Sequence, residues 1–168
     1  MLNKIYLEIT NVCNLDCTFC HKTSRAKKLL TEEEFNLLLG KIEGKAKYLF
    51  FHLMGEPTLH PLLPRFIEAA KSKGFLPAIT TNGSLLAGKG EALLSALPYK
   101  ISISLHAPEA NAAFSAEGYL ENCVSFAKEP SPVQGSGGCL LPVGEREEAA
   151  ERIRGKRLSY IHCENLKQ

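Results

Sequence analysis

Three cysteines in the stretch CNLDCTFC, Cys13, Cys17 and Cys20, stand at spacings of four and three residues. Three soft sulfur donors on one short loop can serve a single metal centre. With 6 Cys in 168 residues, chance would place this pattern roughly 0.008 times per chain, so the stretch reads as a binding site. A closed structural zinc site takes four nitrogen or sulfur ligands, usually as two closely spaced pairs. No second C-x-x-C occurs, and Cys123, Cys139 and Cys163 stand apart. His21 adjoins Cys20, but neighbouring side chains rarely point at one ion. Three thiolates instead suit a 4Fe-4S cluster that keeps one iron free of protein ligands. Zinc, and a redox pair of Cys17 with Cys20, are the other chemistries these residue types allow.

Such a loop needs a scaffold, and the flanking sequence describes one. KIYLEIT, residues 4–10, alternates apolar and polar positions as a strand does and delivers the cysteines at its carboxyl end. That is where α/β sheets place their chemistry. Lys22, Arg25, Lys27 and Lys28 follow and read as a solvated loop. Thr31 and Glu34 form a capping box for a helix over 31–43 that Gly44 ends. The apolar run 48–53 predicts a second strand covered on both faces, followed by Met54-Gly55-Glu56-Pro57. Gly55 there allows the backbone to approach a ligand closely, and Pro57 holds Glu56 in a rigid turn. His52 and His60 read as structural. A helix over 62–73, a strand over 75–80 ending in Thr81 and Asn82, a helix over 85–97, a strand over 100–105 and a helix over 115–128 complete four βα units. Cys123 falls on the last helix as a small buried hydrophobe.

The cysteine stretch resembles the C-x3-C-x2-C signature of radical S-adenosylmethionine (SAM) enzymes, with Phe19 at the aromatic position before the last Cys. MGEP at 54–57 is similar to that family's GGEP motif, with Met54 in place of the first glycine. The likeness runs through residues 1–128 and implies an α/β fold, a partial (β/α) barrel of parallel strands. It implies that Cys13, Cys17 and Cys20 hold a 4Fe-4S cluster whose fourth iron chelates SAM. Gly55, Glu56 and Pro57 would bind the SAM amino group, and Thr81, Asn82 and Ser104 would line the cofactor, with His106 a weaker candidate. Reductive cleavage of SAM would give a 5′-deoxyadenosyl radical that takes a hydrogen atom from an unknown substrate. A flavodoxin or ferredoxin would supply the electron.

Composition narrows the partners. Twenty basic and 18 acidic residues leave a net charge of +2, too balanced to indicate nucleic acid or membrane. No apolar run approaches the ~18 residues of a bilayer span, and cysteines that must stay reduced point to the cytoplasm without disulfides. The pattern changes at residue 129. Residues 129–144 hold Pro130, Pro132, Pro142, Gly135, Gly137, Gly138 and Gly144, 145–157 are mostly charged, and 158–163 can make a short strand. Residues 1–128 therefore read as the core and 129–168 as an atypical tail. A whole radical SAM core resembles six βα units, so the shortened reading leaves the fourth strand's edge uncovered. The alternative to an enzyme is a catalytically inactive, cluster-binding fragment. Cys139 and Cys163 match no ligand motif for a second cluster.

Overall fold

The computed structural model describes residues 2–106, 111, 118–128 and 160–164. Its chain order is β1 (Leu2–Tyr6), α1 (Glu32–Ile42), β2 (Ala46–Phe50), α2 (Leu63–Ser72), β3 (Leu76–Thr81), α3 (Leu86–Ser95), β4 (Lys100–Ser104), α4 (Tyr119–Lys128) and β5 (Tyr160–Glu164). The strands make one sheet in that order. β1 to β4 run parallel, and a helix follows each of them. The fold is α/β, with four parallel strands and alternating helices as expected.

One face of the sheet carries the core. Ile9, Leu49, Phe51, Ile79, Ile101 and Ile103 bury against Phe35, Leu39, Phe66, Ile67, Leu93 and Phe126 of the helices. The rings of Phe35 and Phe66 stack at 4.0 Å and join α1 to α2. The other face is more open, which corrects the expectation of a second strand covered on both sides. There Tyr6 stacks on Phe50 at 5.0 Å, and His52 meets both rings edge-on.

The local signals act as the sequence predicts. Thr31 caps α1 in a complete capping box, and Gly44 and Gly74 leave α1 and α2 at φ +70° and +78°. A 3-10 turn over Pro57–Leu59, not foreseen from the sequence, sits between β2 and α2.

Two differences follow from tertiary pairing. β1 ends at Tyr6 rather than Thr10, and past it the Thr10 hydroxyl donates to Lys28 O and the Asn11 side-chain nitrogen to Ala26 O. Those bonds fold residues 26–30 back along residues 9–11 as a strap. The fourth strand's edge is also not uncovered. β5 pairs antiparallel with β4, matching Lys100 to Glu164 and Ser104 to Tyr160, so the strand foreseen at 158–163 supplies the backbone partners an open edge lacks. Residues 129–159 and 165–168 of the atypical tail, Cys139 with them, and residues 115–117 of the expected fourth helix lie outside the described residues.

Candidate cofactor site at the strand ends

The cysteine loop leaves β1 and turns tightly at its end, where the Cys20 amide donates to Cys17 O at 3.1 Å. The amides of Leu15 and Lys22 donate to the sulfurs of Cys13 and Cys20 at 3.5 and 3.4 Å. Such bonds stabilise electron-rich sulfur. Burial raises the Cys13 thiol, and so do the nearby charges of Glu56 and Cys20. Cys17 is raised by burial and then by Cys13 and Cys20. Burial and neighbouring negative charge thus disfavour the thiolate forms of Cys13 and Cys17, a cost that a cation bound to the sulfurs would offset.

Among the described residues, no three His, Cys, Asp or Glu side chains are drawn close enough to hold a single metal ion. In a cubane each thiolate has its own iron, so this donor set fits a cluster without meeting at one point. Phe19 is exposed and meets the His106 ring edge-on at 6.0 Å.

The Met54–Pro57 turn closes on this loop. A Cβ on Gly55 would lie 2.2 Å from Thr10 O and 2.9 Å from Asn11 Cα. The glycine thus permits close approach to the chain's own backbone, where the sequence suggested a ligand. The Glu56 amide donates to Val12 O at 2.8 Å and completes the seam. Met54 is not among the positive-φ residues, so its backbone makes no demand for glycine. Its amide donates to Glu8 Oε1 at 3.0 Å, and Glu8 Oε2 pairs with Arg25 at 2.6 Å. A cavity of about 280 Å³ lies beside that pair, between the end of β1 and the strap.

Glu56 is buried. Its Oε1 accepts from the amide and hydroxyl of Thr58 at 3.0 and 2.6 Å and from the Thr81 hydroxyl at 2.7 Å. Its Oε2 accepts from the Asn82 amide at 2.7 Å. Burial pushes the carboxyl up, and these four donors oppose the shift. Pro57 opens the 3-10 turn that presents Thr58.

Asn82 is the meeting point of the site. Its side-chain nitrogen donates to Asn14 Oδ1 at 3.0 Å and to the Cys13 sulfur at 3.9 Å. Its Oδ1 accepts from the amide and hydroxyl of Ser84, and its carbonyl accepts from the Tyr119 hydroxyl at 2.8 Å. That hydroxyl also lies 2.8 Å from Ser104 O.

The structure therefore gathers Cys13, Glu56, Thr81 and Asn82 into one hydrogen-bonded group and ties Ser104 to it through Tyr119. Asn14, Thr58, Ser84 and Tyr119 were not singled out from the sequence. Thr58 and Ser84 follow turn residues, a local cue for side-chain to backbone bonds. Nothing local marks Tyr119.

The Radical SAM superfamily model matches residues 7–129. The chain belongs to the radical SAM superfamily. Radical SAM enzymes bind a 4Fe-4S cluster and SAM and need a reductant to supply an electron. A cofactor-modifying protein for tungsten-containing aldehyde ferredoxin oxidoreductase from Pyrococcus furiosus is 34% identical over 87 residues, covering 49% of this chain and 24% of that protein. A probable GTP 3′,8-cyclase from Saccharolobus solfataricus is 34% identical over 109 residues, covering 63% of this chain and 35% of the cyclase.

Among solved structures, BtrN in complex with AdoMet and 2-DOIA superposes with a TM-score of 0.61 at 19% identity, over 88% of this chain and 55% of that one. Streptococcus suis SuiB bound to S-adenosylmethionine gives a TM-score of 0.57 at 16% identity, over 76% and 32%. At those identities the likeness is one of fold. This radical SAM chain spans between a quarter and about a third of the length of these two curated relatives.

Proposed function

We propose that this chain holds a 4Fe-4S cluster through Cys13, Cys17 and Cys20 and supports reductive cleavage of SAM, with hydrogen-atom abstraction from an unidentified substrate. The observation that carries the reading is the joining of the cysteine loop to the Glu56 turn and the end of β3 through Asn82. When bound, the cluster and SAM supply one electron and a carbon-sulfur bond whose cleavage yields methionine and a 5′-deoxyadenosyl radical; the protein supplies binding, orientation and exclusion of side reactions.

The chain's own residues divide that work. Cys13 and Cys20 hold their sulfurs toward backbone donors. Glu56 braces the Gly55–Pro57 backbone against Thr81 and Asn82, with half-buried Gly55 the residue of that turn most open to the SAM amino group, while Thr81, Asn82 and Ser104 shape the strand ends that line the cofactor. Phe19 shields the loop's outer side next to His106. The residue spans 1–128 and 129–168 are proposed as core and tail. A flavodoxin or ferredoxin in the cytoplasm fits the need for low-potential electrons and reduced thiols.

A second reading is a cluster-binding chain without turnover. The antiparallel β5 on β4 favours it, because that edge is taken by a strand that does not continue the βα alternation.

Anaerobic reconstitution with iron and sulfide, then dithionite and SAM, separates the two. Catalytic 5′-deoxyadenosine that disappears in Cys17→Ala supports the enzyme. A brown cluster without product supports the second reading. Failure to bind iron and sulfide ends both.

A further inference from the structure

We infer that Asn82 is a positioning residue for the cluster: one of its amide hydrogens donates to the Cys13 sulfur and raises the cluster's reduction potential. The inference rests on the assignment of Cys13 as a cluster ligand and goes beyond it.

The geometry accounts for both hydrogens of the amide nitrogen. One meets Asn14 Oδ1 at 3.0 Å, and the other faces Cys13 Sγ at 3.9 Å. Rotating the amide to present its oxygen to the sulfur is blocked, because Oδ1 already accepts from the Ser84 amide at 3.0 Å and the Ser84 hydroxyl at 2.7 Å. The Ser84 hydroxyl in turn accepts from Asn14 Nδ2 at 2.8 Å. Donors and acceptors around this ring fit only one orientation of the amide.

The backbone of Asn82 is held as firmly. Its N–H donates to buried Glu56 at 2.7 Å, and its carbonyl accepts from Tyr119 at 2.8 Å. The next residue, Gly83, has φ +76°, and a Cβ there would lie 2.9 Å from both Cys123 Sγ and Ile103 Cγ2. The turn that carries Asn82 is therefore fixed by the Glu56 turn, α4 and the core at once, and its side-chain amide remains aimed at Cys13.

Reduction adds negative charge to a cluster and its sulfurs. A donor fixed toward one of them stabilises the reduced state more than the oxidised one, and hydrogen bonds to the sulfurs are an established lever on the potential of such centres. A preoriented donor supplies this stabilisation without reorganising.

The test is the midpoint potential of the reconstituted full chain without SAM, followed by EPR of the reduced cluster. Asn82→Ala removes the donor and keeps both backbone bonds. Its potential is expected to move negative by about a tenfold change in the reduction equilibrium, about 59 mV for a one-electron couple. Ser84→Ala removes one donor to Oδ1 but leaves the Ser84 amide holding the Asn82 side chain, so its potential should stay at the wild-type value. Asn82→Leu keeps the branched shape and removes the donor without adding charge, and it should move negative as well, which keeps the test open if the alanine variant folds poorly. A wild-type potential in both Asn82 variants overturns the inference, and so do equal shifts in Asn82→Ala and Ser84→Ala. A wild-type chain that takes up no cluster overturns the ligand assignment itself, an outcome visible before any potential is measured.

Discussion

Both ring nitrogens of His52 are committed to one neighbour. Nδ1 accepts the Thr80 amide at 3.1 Å, so the ring's single proton sits on Nε2, 3.2 Å from the Thr80 hydroxyl. Burial pushes its pKa from 6.5 down to about 4, and a second proton would face the Thr80 amide. The sign follows from linkage: between about 6.5 and 4 the unfolded ring takes a proton that the folded ring refuses, so folding loses stability as pH falls through that window. The His52→Gln variant should lack this loss. The stability difference between wild type and variant, from urea midpoints, should shrink between pH 7 and pH 4. A difference independent of pH would show that the ring is not held neutral by the fold. Glu56 shares the cause with the other sign: burial raises its carboxyl, and its hydrogen bonds oppose the shift. Four donors meet its buried carboxyl group, which makes it a brace between the turn and β3.

Glycines at element junctions separate packing from conformational freedom. Gly55 lies against the Thr10–Asn11 backbone, and an added methyl would start 2.2 Å from a carbonyl oxygen. Backbone cannot move aside as a flexible side chain can, so Gly55→Ala should destabilise the fold by about 1–3 kcal/mol. Gly40, inside α1, has nothing within 4 Å of such a methyl, and Gly40→Ala should stabilise by about 0.5–1 kcal/mol through helix propensity. Chemical denaturation of the pair checks both signs.

Tyr119 acts between elements, with its one hydroxyl 2.8 Å from carbonyls at the ends of β3 and β4. Tyr119→Phe preserves the ring and removes the donor to buried carbonyls, at a cost of about 1–3 kcal/mol. A loss below about 0.5 kcal/mol, at the floor of a net hydrogen bond, would mean that water replaces the hydroxyl there.

Across the whole molecule, β4 lies between β3 and β5, so its amides point to a partner on either side. β1 pairs on one side only among the described residues. Hydrogen exchange should therefore protect both alternating sets of amides in β4 and only one set in β1. Fast exchange in half of β4 would show that β5 is not seated in solution. Family membership rests on residues 7–129.

The capping box and the βα order were legible in the sequence because each depends on residues a few positions apart. Cys13, Cys17 and Cys20 carry the family's cysteine spacing on one short loop, and Thr31 with Glu34 declares a helix start. The roles of Glu56, Asn82 and Gly55 were only half legible. Thr81 reaches Glu56 across 25 positions and Asn82 reaches Asn14 across 68, and no local pattern encodes which donors fill an acceptor at that separation. The close approach expected of Gly55 was real, but its object was backbone 44–45 positions earlier in the chain. The direction of β5 was undetermined for the same reason, since a short strand carries no mark of the edge it will pair with. Short spacing determines chemistry here, and the packing of distant strand ends decides which atoms remain to carry it out.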